Sequence, residues 1–442
     1  MRNKLIWLIL LFAAMVNCAS ALNLRESIDI ALRNNPAVIA EKSKVEAGEA
    51  RLGQASGAFF PTVRIAGDYG RSYAQPSNVQ ITTQTSLGAA SQNYLFGTDV
   101  PGDARSWTAS LSQPILVASL FPALAIAQKG AEIDKEGLKK VILDTSFNVT
   151  QAYFNVIKAQ KMVKYYEESK EMAESHLNQV KEMVTVGISS RAEWLRAEVQ
   201  VANSEVALTH SINALELACA TFNNELGNDL EQEIKLDEAG FTGTVSAIPE
   251  YKDLLSLAFE NRPDWRQYLL NKGISEEDLN SARTAYLPSV LLTASTGNRI
   301  TEYPNYKSDV NSWSVVGLAS WTLFDGLGIQ NRVREAAANL NAQKATEELI
   351  RKSIALEVRD AYLSLKNALG TIGSAKKAVE SAEEGYKVFN QRYNSGIGTN
   401  LEVLDAQVSL TQAKINQLQA LFDLEIAKAR INKVIGKEIN IQ

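Results

Sequence analysis

Little in this chain marks a catalyst. Its 442 residues include 2 Cys and 2 His, too few for a disulfide framework or a His/Cys metal centre. The two histidines, His176 and His210, lie far apart in helix-forming sequence and read as helix-surface or packing residues. There is no His-Glu-x-x-His, no Cys-x-x-Cys and no Gly-x-Ser-x-Gly, and Gly326-Leu327-Gly328 lacks the third glycine of a dinucleotide loop. No catalytic residue, cofactor or metal is expected. Basic charge is not in surplus either: 45 Lys and Arg against 50 Asp and Glu leave a net charge of −5, evenly spread. That excludes the basic stripe by which proteins displace counterions from nucleic acid. Long apolar runs are missing past the N-terminus. The longest, Ile115 to Ala127, is interrupted by Ser119 and Pro122 and falls short of the ~18–20 residues of a membrane-spanning helix. Membrane strands, which announce themselves only by alternation, remain open.

What is present begins with an export signal. Arg2 and Lys4 precede an apolar run from Leu5 to Val16 and the small triplet Ala19-Ser20-Ala21, the layout of a secretory signal cleaved after residue 21. Cys18 offers lipid attachment as the other reading, although Met15-Val16-Asn17 is a poor match to a lipoprotein signal. Cys219, in the Ala-rich stretch Leu217-Ala218-Cys219-Ala220, reads as a core-filling thiol.

The chain is a duplication. Ala31-Leu-Arg-Asn-Asn-Pro36 recurs as Ala258-Phe-Glu-Asn-Arg-Pro263 at an offset of 227, as does Phe60-Pro61 as Leu287-Pro288. Later the offset becomes 209: Ala152-Tyr153 with Ala361-Tyr362, Gly187-Ile188 with Gly396-Ile397, Glu193 with Glu402, Gly227 with Gly436. The shortened offset places an insertion in the first copy, assigned to Gln75–Arg105, whose Ser, Thr, Gln, Gly and Asn suit a surface loop.

Each copy reads as a helix, a strand pair and a long helical hairpin. After the signal at 1–21, the first repeat covers 22–227, with strands at about 61–116 and a hairpin tip near 184–190. A linker at 228–250 leads to the second repeat, 251–436, with strands at about 288–324 and a tip near 394–399; residues 437–442 form a tail. From about Leu120 to Met183 and from Arg332 to Asn394 the sequence is rich in Ala, Glu, Lys, Gln and Leu with no proline after Pro122, which predicts helices of some 60 residues, ~90 Å long. Apolar positions such as Val149, Ala152, Tyr153 and Val156 form a helix-packing seam. The strands alternate instead. Val63, Ile65, Gly67 and Tyr69 share a face, as do Trp107, Ala109 and Leu111, with polar residues between them. Aromatics at Tyr69, Tyr73, Trp107, Trp313 and Trp321 suit the interfacial girdles of an outer-membrane barrel; a soluble sandwich is the blander reading. Four strands cannot close a barrel in lipid, so the chain is expected to oligomerise: two copies would supply eight strands and three twelve, and only the wider barrel leaves a lumen.

Trp321-Thr-Leu-Phe-Asp325-Gly326 and the stretch from Tyr393-Asn-Ser-Gly396 to Glu402-Val-Leu-Asp405-Ala-Gln407, set in this duplication, resemble the TolC-type outer-membrane factor family. The resemblance covers nearly the whole chain after the signal. It implies an α+β membrane protein: a homotrimer sharing a 12-stranded outer-membrane β-barrel that continues as an α-helical periplasmic tunnel, embedded in outer-membrane lipid. It also implies a passive exit duct for efflux or type I secretion, working with a periplasmic adaptor (membrane fusion protein) and an inner-membrane pump of RND, ABC or MFS type. By residue, it implies that Glu193, Glu402 and Asp405 line the channel constriction. From spacing alone these carboxylates read as solvated helix charges, and it is the resemblance that reverses this. Relatives close the tip with a Tyr, matched by Tyr393, and with an Arg where this chain has Gly398; Arg191 and Arg392 lie near enough in sequence to replace it, alongside Glu193. Gly187, Ile188, Gly396 and Ile397 are the expected adaptor-docking tips. The other class of function left open is a non-conducting coiled-coil scaffold or adhesin anchored in the outer membrane.

Overall fold

The computed structural model describes residues 21–73, 77–85, 88–96, 100–237, 249–304 and 306–437. The signal sequence, Cys18 and the end of the C-terminal tail lie outside them. The elements in order are α1 (Leu24–Asn34), α2 (Pro36–Gly57), β1 (Thr62–Ser72), β2 (Ser77–Thr85), β3 (Gly88–Phe96), β4 (Gly102–Leu116), α3 (Leu120–Thr185), α4 (Arg191–Leu226), α5 (Tyr251–Asn261), α6 (Pro263–Thr284), β5 (Ser289–Tyr303), β6 (Tyr306–Ser320), α7 (Gly328–Asn394) and α8 (Asn400–Ile435). They divide into two compact units. One comprises the chain up to Glu46, Glu132–Leu269 and the residues from Ala345 on; the other comprises Ala47–Ala131 and Leu270–Lys344.

The first unit is helical, and the duplication is written into its cores. Val149, Ala152, Val156, Phe222 and Leu226 pack with Ala31 in one cluster; their counterparts in the second repeat, Val358, Ala361, Leu365, Ile431 and Ile435, pack with Ala258 in the other. At 66 and 67 residues, α3 and α7 would extend ~100 Å at 1.5 Å per residue. Helices α1 and α5 stop at prolines, because the residue before proline is driven out of the helical region: Asn35 and Arg262 both adopt ψ near 122°. Each then ties its break to the end of a long helix. The Asn35 amide donates to the Glu225 carbonyl at 2.9 Å, and the Arg262 guanidinium donates to the Val434 carbonyl at 3.3 Å while pairing with Asp264 and Glu357. Helices α4 and α8 end on left-handed Gly227 and Gly436. A Cβ on Gly227 would lie 2.7 Å from the Asn34 carbonyl oxygen, and one on Gly436 2.8 Å from that of Asn261. Only glycine fits where these chain segments meet. Cys219 is half-buried against the first cluster.

The second unit carries an antiparallel sheet in the order β1-β4-β5-β6. Its register aligns the alternation across all four strands. One face stacks the rows Val63/Leu111/Ala294/Val315 and Ile65/Ala109/Thr296/Trp313; the other stacks Arg64/Ser110/Ser295/Ser314 and Ala66/Thr108/Gly297/Ser312. On the polar face Ser295 and Ser314 share a 2.9 Å hydrogen bond and Ser106 donates to Asp68. Among the described residues the apolar face is left open: Ile65 is 76% and Trp313 79% exposed. Apolar character runs from Val290 to the Trp107/Asn298 row and then gives way to Arg71, Asp103, Arg105 and Glu302, which pair with one another. About nine residues at ~3.3 Å, tilted as barrel strands are, span roughly 25 Å, the height of an outer-membrane apolar band. No described helix is long and apolar enough to cross a membrane.

The insertion differs from expectation. Part of it is a second antiparallel pair, β2 with β3, and β4 already begins at Gly102. Its Ser, Thr and Gln content reads as loop by composition, but Asn-Val-Gln-Ile-Thr alternates, and β-branched Thr, Val and Ile favour extended backbone.

Candidate functional site

The two hairpin tips are built by the same turn. In the first, the amides of Ile188 and Ser189 both donate to the Met183 carbonyl, at 2.9 and 3.2 Å; in the second, Ile397 and Gly398 donate to Arg392, both at 3.1 Å. Gly187 and Gly396 supply the positive φ, 80° and 75°, that reverses the chain. Ile188 and Ile397 are left 75% and 70% exposed at the turn.

Both following helices begin with a capped carboxylate. Ser190 is the N-cap of α4 and accepts the Glu193 amide, while the Ser189 hydroxyl donates to the Glu193 carboxylate. Thr399 caps α8 in a full capping box: its hydroxyl accepts the Glu402 amide at 3.3 Å and its own amide donates to the Glu402 carboxylate at 2.7 Å. The same carboxylate lies 3.6 Å from Arg392. The Thr399 amide first, then the Thr399 hydroxyl and the Arg392 charge, hold the Glu402 carboxyl below its ordinary range. Asp405, one turn further, is exposed. Both glutamates sit at the positive ends of helix dipoles, where anions are favoured. The sequence carried this signal as Ser-x-x-Glu and Thr-x-x-Glu, and reading the glutamates only as pore charges overlooked it.

The remaining candidates separate. Tyr393 is 5% exposed with its hydroxyl buried beside Ser189; burial first, then the Glu193 charge, push its pKa up against the opposing effect of the Ser189 hydroxyl. Arg392 joins Glu402, whereas Arg191 lies exposed with no ion pair among the described residues. A Cβ at Gly398 would come within 2.8 Å of the Tyr393 backbone nitrogen, so the turn must open slightly to accept a side chain there.

Residues unforeseen from sequence link the two hairpins. His176 of α3, 3% exposed, bonds through Nε2 to Oδ1 of Asn400 at 2.6 Å, and the Asn400 amide donates to the Glu193 carbonyl at 3.1 Å. The imidazole also packs on Tyr393, ring centroids 5.1 Å apart. Around them lie Leu177, Val180, Ala197 and Val403. His210 is exposed.

Comparison with known proteins places the chain. The profile of the outer membrane efflux protein family matches residues 27–227 and 254–437. Outer membrane protein TolC of Escherichia coli is 26% identical over 374 residues, 80% of this chain and 74% of that protein. Proteases secretion protein PrtF of Dickeya chrysanthemi is 21% identical over 98% of this chain and 94% of its own. Among solved structures, the outer-membrane channel OprN superposes with a TM-score of 0.75 at 19% identity, covering 94% of this chain and 90% of that one. CusC superposes with 0.77 at 16%, covering 94% and 92%. The chain belongs to the outer membrane efflux protein family. It is an outer-membrane exit duct and not an enzyme.

Proposed function

We propose that three copies of this chain close a 12-stranded barrel, β6 of one subunit pairing with β1 of the next, and that the helices continue it as a periplasmic tunnel through which substrates leave passively. The observation that supports this most directly is the sheet: four strands with an exposed apolar face and two unpaired outer strands, β1 and β6. In lipid, unpaired backbone groups cost several kcal/mol each. Two copies would make eight strands, a barrel filled by its own side chains; three make twelve, with room for a lumen.

At the hairpin tips, Glu193, Glu402 and Asp405 would form the acidic constriction, with Tyr393, Glu193, Arg191 and Arg392 linking neighbouring coils in the closed state. The exposed Ile188 and Ile397, on the turns made by Gly187 and Gly396, would seat a periplasmic adaptor that connects the duct to an inner-membrane pump. Relatives are named for protease secretion, toluene efflux and cobalt-zinc-cadmium resistance. A range that wide agrees with a duct whose cargo is chosen upstream by the pump. The test is the mass of the detergent-extracted protein together with conductance in planar bilayers. A non-conducting trimer would favour a scaffold, and a stable soluble monomer would remove the barrel.

A further inference from the structure

The contact between the hairpins at the tip is made by a buried imidazole. His176 comes from the first hairpin, and Asn400 and Tyr393 from the second. Because the Asn400 amide nitrogen is committed to the Glu193 carbonyl, its Oδ1 faces the imidazole, so Nε2 carries the proton and Nδ1 is the bare nitrogen. Nδ1 is buried and has no partner. That suits neutral imidazole. A second proton there would make a buried donor with no acceptor and would add a buried charge.

We propose that His176 is a gating residue of the duct: neutral, it holds the second hairpin to the first through Asn400, and protonated, it releases that tie and lets the tip open. The inference rests on the duct reading above and adds a proton as the trigger.

Among the described residues no neighbouring charge offsets the cost of protonating it. On α4, Glu193 acts on Tyr393 and receives the Ser189 hydroxyl, while Arg191 and Arg196 are exposed. On α7, Arg392 faces Glu402; on α8, Glu402 is held by Thr399 and Arg392, and Asp405 is exposed. Along α3 itself, Glu174 pairs with Lys170 and Lys181 lies over Trp194. Burial lowers the His176 pKa from its ordinary 6.5, opposed only by the Asn400 bond. A base lowered on folding favours the closed tip above about pH 6.5 and loses that contribution as pH falls toward the folded-state value. The tie is therefore intact at neutral pH and weakens as pH falls below about 6.5.

The experiment records single-channel opening of the full-length protein in planar bilayers while the side bearing the tips is taken from about pH 7.5 to 5.5. The wild type should gain open probability as pH falls below about 6.5, by at most about tenfold per subunit for each pH unit. His176→Gln keeps a neutral donor for Asn400 and should stay as closed as wild type at neutral pH, with a flat pH response. A wild type that does not respond, or a His176→Gln channel that opens with acid as wild type does, overturns the proposal. Should that variant not assemble, hydrogen exchange of the wild-type protein decides. Corrected for intrinsic rates, protection around His176 and Asn400 should fall together between the two pH values, and unchanged protection overturns the proposal. A channel that conducts but ignores pH leaves the duct intact and removes only this gate.

Discussion

Arg392 and Glu402 face each other across the second tip at 3.6 Å, the one in the last turn of α7 and the other in the first turn of α8. The pair lies within a single hairpin and joins its two helices, while the capping box beside it fixes where α8 starts. The carboxylate expected to line a pore is thereby also a structural element, and the two roles can be separated experimentally.

Thr399→Ala removes the hydroxyl that accepts the Glu402 amide and should cost about 1 kcal/mol of local stability at the start of α8. Hydrogen exchange should rise over the first turn of α8, with trimer yield unchanged. The carboxylate's share in the cap, made largely through the backbone amide of residue 399, is present above its ordinary pKa near 4.5 and is lost as pH falls through its lowered value in both proteins, so the difference caused by the missing hydroxyl should persist in acid.

Replacing Glu402 with Gln and Asp405 with Asn keeps shape and removes charge. If both carboxylates line the entrance, cation selectivity measured from reversal potentials across a KCl gradient should fall toward none, and block by a trivalent cation should weaken. The difference should shrink at high salt, as the Debye length drops from ~10 Å at 0.1 M to ~3 Å at 1 M. Unchanged selectivity and block would move the constriction elsewhere.

Ile65 and Ala66 are adjacent in β1 but belong to opposite faces, beside Ala109 and Thr108 respectively. Arg at Ile65 should cost ~2–4 kcal/mol in the apolar band, and Arg at Ala66 far less. Urea unfolding of the detergent-extracted protein checks the ranking, and the reverse order would turn the sheet inside out.

Gly187 and Gly227 both take positive φ, 80° and 73°, but only Gly227 has backbone against it. Gly187→Ala should cost ~1–2 kcal/mol, the penalty of a left-handed side chain alone. Gly227→Ala must also push back the Asn34 carbonyl, and its thermal unfolding midpoint should fall well below that of Gly187→Ala.

The helices and the outer sheet were legible because each buries a face, and burial leaves a period in the sequence. Val149 and Val358 are equivalent positions of the two repeats and occupy matching cores; Ile65 and Ala109 alternate in step with the strand they belong to. The β2–β3 pair was misread because its polar composition masked a weak alternation. The tip network was hidden for a different reason. His176 and Asn400 are 224 residues apart, and no local pattern announces a hydrogen bond between two hairpins. The capping of Glu193 and Glu402 was visible in four-residue motifs, but a carboxylate near a supposed pore invites a reading by charge before one by backbone.

The unpaired β1 and β6 edges also bear on inheritance. If every subunit must lend an edge to each of two neighbours, a copy with one spoiled edge still enters the assembly through the other and stalls it. In a cell expressing both forms, working ducts would then fall with the cube of the wild-type fraction. A lesion confined to β6 would behave as a dominant one, whereas loss of the whole chain would be recessive.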